Sequence, residues 1–128
     1  MTIVRLGERP SMPDGSRAPY SPMVRAGGFV FVSGQLPFDA QRRIVPGGIE
    51  EHTRQAYENV RTLLASINYD LSDIVKTVNY LASEKDFVQF NAVYTSIFAA
   101  ELPARSTICT SLLMPAALEV DVIAYQGD

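Results

Sequence analysis

Hydrophobic and polar residues follow two different periods along this chain. Short β-branched and aromatic runs are typical of strands, and they occupy residues 2–6, 23–26, 29–33, 74–81, 105–113 and 118–125. Apolar positions three and four apart indicate helices, and they occupy residues 50–68 and 87–98. The order β-β-β-α-β-α-β-β predicts an α+β domain with about six strands in a mixed sheet and two helices on one face.

Turn and capping residues set the ends of these elements. Gly27-Gly28 lies between two apolar runs and predicts a hairpin, because glycine accepts positive φ at no steric cost. Asn68 is expected to end the first helix in a left-handed conformation. Ser83 with Asp86 forms a start signal for the second helix, and Pro103 prevents that helix from continuing.

The predicted sheet has two apolar faces, and two helices can cover only one of them. Alternating side chains of one strand point to opposite faces. In the last strand the two rows are Leu118, Val120, Val122, Ala124 and Glu119, Asp121, Ile123, Tyr125. A sheet with one wet face should carry clearly polar residues there. We therefore expect the second face to pack against other copies of the chain; the alternative is a monomer whose loops fold over it.

Length and composition indicate a single domain spanning residues 1–128. Apolar residues make up 47% and charged residues 20% of the chain, as in ordinary globular proteins. The net charge of −3 counts against a dedicated nucleic-acid binder. No apolar run approaches the roughly 18 residues that span a bilayer, and residues 1–9 lack a secretory hydrophobic region. These features predict a cytosolic protein with no membrane and no nucleic acid among its partners.

The chain has one cysteine and one histidine. A lone Cys109 excludes an internal disulfide and a cysteine-rich zinc site, and we interpret it as a small core residue. A lone His52 argues against a histidine metal centre or a catalytic triad, and we interpret it as a solvated residue of the first helical turn. The sequence predicts no metal site.

Arg105 is the most informative candidate for substrate binding. It opens a strand after a helix and Pro103, which presents its guanidinium at an end of the sheet. A planar fork of N–H donors is the best protein partner for a carboxylate. From the residues alone, however, pairing with a surface acid is the commoner reason for such an arginine.

Glu119 and Asp121 are the candidate acid–base groups. They lie two residues apart on one strand face, which they share with Ile123 and Tyr125. A carboxyl group on a partly apolar face has a raised pKa, which suits general acid–base catalysis. A salt bridge across a subunit boundary explains the two carboxylates equally well.

Three other positions are candidates for lining a pocket. Tyr20 lies in a proline-rich loop, where it either leans over a pocket or packs on the core. Ser33 begins a Ser-Gly-Gln segment whose Gly34 allows a ligand close to the backbone or simply forms a turn. Asn91 interrupts the apolar side of the second helix, so its amide needs partners from a helix end or a ligand.

Taken in order, these segments resemble the RidA family, also called YjgF or reactive intermediate/imine deaminases. The resemblance rests on Ala18-Pro19-Tyr20-Ser21, on Ser33-Gly34-Gln35, on Pro103-Ala104-Arg105-Ser106 followed by Leu118-Glu119-Val120, and on residues 55–64, 73–77 and 87–94. Ala18 stands where the family usually has glycine, and Thr107 where it often has cysteine. The loop at residues 112–117 also departs from the common pattern, so Asp121 remains the alternative to Glu119.

The resemblance implies a chorismate-mutase-like fold and a homotrimer whose sheets form a central barrel, with active sites in the clefts between subunits. It implies deamination of enamine or imine acids such as 2-aminoacrylate to a 2-oxo acid and ammonia, without a cofactor. The expected partner is a small carboxylate-bearing imine or enamine substrate.

The same resemblance implies roles for individual residues. Arg105 clamps the substrate carboxylate, and the backbone of Thr107 adds hydrogen bonds. Glu119, expected on an adjoining strand, activates the attacking water and passes a proton to the leaving nitrogen. Tyr20 and Ser33 shape the pocket, with Asn91 in support.

Three other functions remain open from the sequence. Some relatives deaminate 2-aminomuconate, and a second basic residue near the pocket, such as Arg17 or Arg25, would favour that dicarboxylate. A non-catalytic small-acid-binding protein is another alternative. RNA cleavage is claimed for some relatives, but the acidic charge balance argues against it.

Overall fold

One mixed sheet of six strands and two helices make up the computed structural model, which describes residues 2–127. The strands are β1 (Ile3–Leu6), β2 (Met23–Ala26), β3 (Phe29–Gln35), β4 (Ile74–Leu81), β5 (Ala104–Cys109) and β6 (Leu118–Tyr125). The helices are α1 (Ile49–Ala65) and α2 (Phe87–Phe98). Single 3-10 turns at Leu71–Asp73 and Glu84–Asp86 lead into β4 and α2.

The strand order differs from the chain order at one decisive point. The sheet runs β1-β2-β3-β6-β4-β5, so the last strand inserts between β3 and β4. Only β4 and β5 pair in parallel, and all other neighbours are antiparallel. Since β4 separates β5 from β6, the expectation that Arg105 and Glu119 lie on adjoining strands is wrong.

Both helices pack on the same face of the sheet, as predicted. The row of β6 that faces them is buried and consists of Leu118, Val120, Val122 and Ala124. Tyr57 of α1 meets α2 edge-on, with ring centroids 5.8 Å from Tyr94 and 5.3 Å from Phe98. Aromatic pairs in this geometry add to the stability that area burial provides.

Most element boundaries follow the sequence pattern. Strands β2, β4 and β6 have the predicted bounds, and Asn68 has a φ of 64°, the left-handed conformation expected after α1. The main exception is β5, which ends at Cys109 and not at residue 113. The physical reason is the partner strand: Cys109 pairs with Leu81, where β4 ends, so an edge strand has nothing to pair with beyond that point.

The other face of the sheet has no helix on it. Four of its apolar side chains are between 43% and 46% exposed, namely Phe29, Phe31, Ile108 and Tyr125. The rings of Phe29 and Tyr125 contact each other, with centroids 4.7 Å apart. No loop within residues 2–127 covers these side chains, so the alternative of a monomer with a loop-covered face is wrong. Packing against other copies stays a prediction.

Candidate functional site

A cavity of about 580 Å³ opens where β3 ends and β6 begins. Its walls come from the long loop before β2, the loop after β3, the second half of α1 and the loop before β6. Glu119 and Tyr20 both line it, as does Gly34. A cavity of this size, mostly apolar with a few polar groups, is typical of small-molecule sites.

Glu119 reaches the cavity because residue 34 has no side chain. A Cβ at Gly34 would overlap the Glu119 carboxylate, so glycine lets the two strands bring that carboxylate to the cavity wall. Burial raises the pKa of Glu119, and the negative charge of Asp121 raises it further. Asp121 does not line the cavity and instead accepts a hydrogen bond from the Tyr80 hydroxyl at 3.1 Å.

The loop that carries Tyr20 is fixed to the end of β3. The Ser33 hydroxyl donates to the Ser21 carbonyl at 2.6 Å, and the Ser33 backbone N–H donates to the Pro22 carbonyl at 3.0 Å. Ser33 thus holds the loop, while the Tyr20 ring stays exposed at the cavity. The hydroxyl oxygen of Ser33 retains capacity to accept a further hydrogen bond.

Asn59 is a cavity residue to which the sequence analysis gave no role. Its amide donates to the carbonyls of Leu36 at 3.1 Å and Phe38 at 3.0 Å, and its oxygen accepts from Gln55 at 2.9 Å. Asn59 therefore ties the loop after β3 to α1 and shapes the wall. The signal in the sequence is a polar residue beside the apolar positions of an otherwise regular amphipathic helix.

His52 is buried, which corrects its interpretation as a solvated residue. It is 5% exposed, and its Nε2 lies 2.9 Å from the Val45 carbonyl while its Nδ1 accepts from the Ala117 backbone N–H at 3.0 Å. Both ring nitrogens are therefore used to join two loops. Ala117 lies two residues before Glu119, so His52 anchors the segment that enters β6.

Replacing His52 by alanine should lower the free energy of unfolding by about 1–3 kcal/mol, because a carbonyl and an N–H of half-buried residues would lose their partner. Urea unfolding monitored by circular dichroism measures this change. Glu51 is exposed and adjacent to His52, but Glu51→Gln is not a matched control. Its carboxylate accepts a hydrogen bond from the Gly48 backbone N–H and so caps the start of α1. Arg54→Ala, on the exposed side of the same helix, should change stability by less than about 0.5 kcal/mol.

Arg105 lies on the other side of the sheet, against α2. Its Nη2 donates to Asn91 Oδ1 at 2.6 Å, and its guanidinium lies 4.8 Å from the ring centroid of Tyr94 and 5.4 Å from that of Phe90. Within residues 2–127 no carboxylate forms an ion pair with it. The surface-acid explanation of Arg105 is therefore wrong in this part of the chain. An unpaired guanidinium over aromatic rings can accept a carboxylate ligand.

A buried hydrogen-bond chain fixes the ring beneath Arg105. The Tyr94 and Thr77 hydroxyls lie 2.7 Å apart, Asn79 donates to Thr77 at 3.1 Å, and Tyr57 donates to Asn79. Burial raises the pKa of the Tyr94 phenol. Beside this chain Thr107 has a buried hydroxyl with no hydrogen-bond partner in residues 2–127.

The candidate residues thus form two separate groups in one chain. Arg105 and Thr107 lie with Asn91 of α2, while Tyr20 and Glu119 line the cavity and Ser33 precedes the lining residue Gly34. Arg105 pairs with Thr77 of β4, whereas Glu119 pairs with Tyr80 from the other side. The backbone positions of Arg105 and Glu119 are therefore separated by about 10 Å along the strand direction and by about 10 Å from strand to strand. They also point to opposite faces, so one chain does not bring them together.

Cys109, Arg17 and Arg25 do not line the cavity. Cys109 is exposed, so its interpretation as a core residue is wrong: it ends an edge strand. Arg42 is the arginine that lines the cavity, stacked 4.4 Å from the Phe38 ring centroid. Across residues 2–127 no cluster of three or more metal-binding side chains occurs. In the same range, no helix is both long and apolar enough to cross a bilayer.

Comparison with known proteins agrees with this fold. A family model described as Endoribonuclease L-PSP matches residues 11–126. The mouse 2-iminobutanoate/2-iminopropanoate deaminase is 34% identical over 111 residues, which cover 85% of this chain and 82% of that protein. The mitochondrial protein MMF1 of Saccharomyces cerevisiae is 41% identical over 110 residues, which cover 85% of this chain and 76% of that protein. Because MMF1 is mitochondrial, the cytosolic location expected for this chain stays a prediction.

Solved structures agree as well. The crystal structure of yeast Mmf1 superposes with a TM-score of 0.87 at 37% identity and covers 98% of this chain and 100% of that one. The crystal structure of Escherichia coli TdcF with bound serine superposes with a TM-score of 0.80 at 28% identity and covers 88% of this chain and 91% of that one. The chain belongs to the RidA/YjgF family, which the matching family model describes as endoribonuclease L-PSP.

Proposed function

We propose that this protein hydrolyses 2-imino acids, including the imine form of 2-aminoacrylate, to 2-oxo acids and ammonia, at sites that two copies of the chain build jointly. The observation that carries the proposal is the division of the candidate residues into two groups that are each incomplete. One group contains the Arg105 guanidinium and the other the Glu119 carboxyl group in its cavity, and neither of the two forms an ion pair within residues 2–127.

Arg105 binds the substrate carboxylate in this scheme. Asn91 accepts from Nη2 of its guanidinium and the aromatic rings of α2 support its plane. Within residues 2–127 the other guanidinium nitrogens have no side-chain hydrogen bond, so they can form a bidentate pair. Thr107 lies two residues after Arg105 on β5, so its backbone and its hydroxyl, which has no partner in residues 2–127, can add hydrogen bonds to the same substrate. The bound serine in TdcF supports a small carboxylate ligand for the family.

Glu119 handles the protons of the hydrolysis. As a carboxylate it removes a proton from water, whose oxygen attacks the imine carbon and forms a carbinolamine. The protonated Glu119 gives that proton to the imine nitrogen, which completes the neutral carbinolamine. The ionised Glu119 then takes the proton of the carbinolamine hydroxyl and passes it to the amino nitrogen, so the C–N bond breaks and ammonia leaves as the carbonyl forms. One water is consumed for each 2-oxo acid and ammonia produced, and no oxidant or cofactor is needed.

The uncovered face of the sheet is the surface by which copies associate in this scheme. The exposed rings of Phe29, Phe31 and Tyr125 form an aromatic cluster on it, and Ile108 is exposed on the edge strand β5. Exposed apolar patches mark interfaces. A ring of three copies related by threefold rotation joins one edge of each chain to a different edge of the next. Such a heterologous contact can bring the Arg105 group of one copy to the cavity of its neighbour.

The test of the function is turnover of freshly generated 2-aminoacrylate, measured as 2-oxo acid released above the spontaneous rate. The proposal expects acceleration with the purified protein and a mass of three chains by light scattering. Thermal protection by 2-oxo acids with no turnover on any imine acid would instead identify a non-catalytic binding protein. Salt-sensitive RNA binding with RNA cleavage would support the activity in the family description, which the net charge of −3 disfavours.

Asp121→Asn should move the acidic limb of the pH–kcat/KM profile to lower pH. Glu119 acts as a base in its ionised form, so the rate falls as the pH drops through its pKa. The negative charge of Asp121 helps to raise that pKa, and its removal lowers it. Asp70→Asn, at an exposed 3-10 turn, is the matched control and should leave the limb in place. An unmoved limb in Asp121→Asn would show that another group sets it.

A dicarboxylate substrate such as 2-aminomuconate is disfavoured by the charges of the cavity. Arg42 is one basic residue in its lining, but Glu8, Asp39 and Glu119 line it too. The net negative charge would repel a second substrate carboxylate. Neither Arg17 nor Arg25 is near enough to the cavity to line it.

A further inference from the structure

The hydrogen-bond chain beneath Arg105 consists of four buried side chains with polar groups. They are Tyr57, Thr77, Asn79 and Tyr94, and none is more than 2% exposed. A buried polar group costs stability unless it is hydrogen-bonded, and a pair of apolar side chains of the same shape is often as stable or more so. The stability of the core alone therefore does not explain this set of residues.

Asn79 is the branching point of this chain, and both ends of its amide are used. Its Oδ1 accepts a hydrogen bond from the Tyr57 hydroxyl. Its Nδ2 donates to the Thr77 hydroxyl at 3.1 Å and to the Ser106 carbonyl at 3.4 Å. Ser106 directly follows Arg105 on β5. Asn79 therefore acts on the arginine twice, at the neighbouring backbone and, through Thr77, at the ring beneath the guanidinium.

Tyr94 connects the chain to the guanidinium itself. Its hydroxyl lies 2.7 Å from that of Thr77, and the Arg105 guanidinium lies 4.8 Å from its ring centroid. A tyrosine ring that is held at its hydroxyl cannot tilt freely, so the face that it offers to the cation stays fixed. Asn91, three residues earlier on α2, accepts from Arg105 Nη2 at 2.6 Å. The guanidinium is thus held both at one edge and over one face.

We propose, on the basis of the deaminase function above, that Asn79 and Tyr57 are positioning residues: through the rest of the chain they hold the Arg105 guanidinium in the plane that a substrate carboxylate requires. Two parallel N–H···O bonds form only when guanidinium and carboxylate are nearly coplanar. A tilted guanidinium keeps its charge but loses one of the two bonds. Because the carboxylate is bound equally in the substrate and the transition state, loss of the chain should raise KM and leave kcat nearly unchanged.

Removing two polar partners together separates positioning from stability. Asn79→Leu keeps the branched shape but leaves the buried Tyr57 hydroxyl without its partner, so alone it should lower the melting temperature by at least about 4 °C. Adding Tyr57→Phe removes that hydroxyl and makes room for the larger methyl groups, which should restore most of the melting temperature. We expect the double variant to have a KM for 2-iminopropanoate raised about 5- to 50-fold, with kcat within about 2-fold of the wild type.

Tyr94→Phe perturbs the other end of the chain and retains the ring beneath Arg105. It removes only the hydroxyl that contacts Thr77, so KM should rise by a similar factor. Tyr69→Phe is the matched control, because it removes another buried tyrosine hydroxyl, which donates to the Gly28 carbonyl at 2.9 Å, and it should leave KM unchanged. Lysine has no plane to hold, so in an Arg105→Lys background Tyr94→Phe should change KM by less than about 2-fold.

Calorimetric titration with pyruvate, the 2-oxo acid formed from 2-iminopropanoate, measures carboxylate binding without the reaction. The double variant and Tyr94→Phe should each raise the Kd of pyruvate by about the factor by which they raise KM. Wild-type KM and Kd in both would overturn the positioning role and leave the deaminase function standing. An undiminished effect of Tyr94→Phe in the Arg105→Lys background would overturn it too, since the chain would then act elsewhere. Pyruvate binding that weakens as expected, in a protein that turns over no imine, would overturn the deaminase function alone.

Discussion

Replacing Arg105 by alanine is expected to lower kcat/KM for 2-iminopropanoate by about 100- to 10,000-fold, because two charge-assisted hydrogen bonds to the substrate carboxylate are lost. The loss should fall mainly on KM, since the carboxylate is bound equally in the substrate and the transition state. Steady-state release of 2-oxo acid from freshly generated imine measures both constants. Turnover equal to that of the wild type would remove the carboxylate-clamp role of Arg105.

Two further arginine variants separate the clamp from charge and packing. Arg105→Lys keeps the positive charge but loses the planar fork, so it should recover only part of the activity. Arg54→Ala removes an exposed arginine paired with Glu50 and should leave both constants unchanged. Arg105 also stacks over Tyr94, so melting curves of Arg105→Ala are needed to show that the chain still folds and assembles.

Replacing Glu119 by glutamine is expected to lower kcat by about 100- to 10,000-fold with a smaller effect on KM, because the amide cannot accept the proton of the attacking water. The acidic limb of the pH profile should also disappear, since its titrating group is gone. Asp121→Asn is the comparison variant: it removes a neighbouring carboxylate outside the cavity and should retain far more activity. A larger loss in Asp121→Asn than in Glu119→Gln would transfer the base role to Asp121.

Gly34→Ala tests independently whether the reaction depends on the position of the Glu119 carboxylate. The added methyl group would meet the end of the Glu119 side chain and not the backbone, so the fold should survive while the carboxylate moves. We expect a kcat loss with little change in melting temperature. Wild-type kcat in this variant would show that the carboxylate position in the cavity does not matter for the reaction.

Local sequence patterns were sufficient for most of the secondary structure. The β-branched runs of β4 and β6 define their bounds, because each strand is paired on both sides along its length. The alternation in β6 also distinguished the buried row from the row on the helix-free face. At β5 the same kind of pattern failed, since Thr110 is no less strand-like than its neighbours and only the end of β4 stops the pairing.

The arrangement of the site depends on contacts between distant segments, which local patterns do not contain. The insertion of β6 between β3 and β4 separates Arg105 from Glu119, and no residue in either strand signals it. His52 is buried because Ala117, 65 residues later, supplies an N–H to its ring. The cavity wall likewise combines Phe38, Asn59 and Met114 from three segments. The family resemblance identified the residues, but their division into two groups became visible only in three dimensions.

Mixing two inactive variants tests the shared site most directly. Arg105→Ala and Glu119→Gln chains carry different affinity tags, are produced together, and assemblies containing both are purified. If Arg105 of one copy faces Glu119 of its neighbour, every ring of three that contains both variants has one intact site among its three, so about a third of wild-type kcat/KM should return. Each variant produced alone should stay inactive. Mixed assemblies that are as inactive as their parents would contradict a site built by two copies.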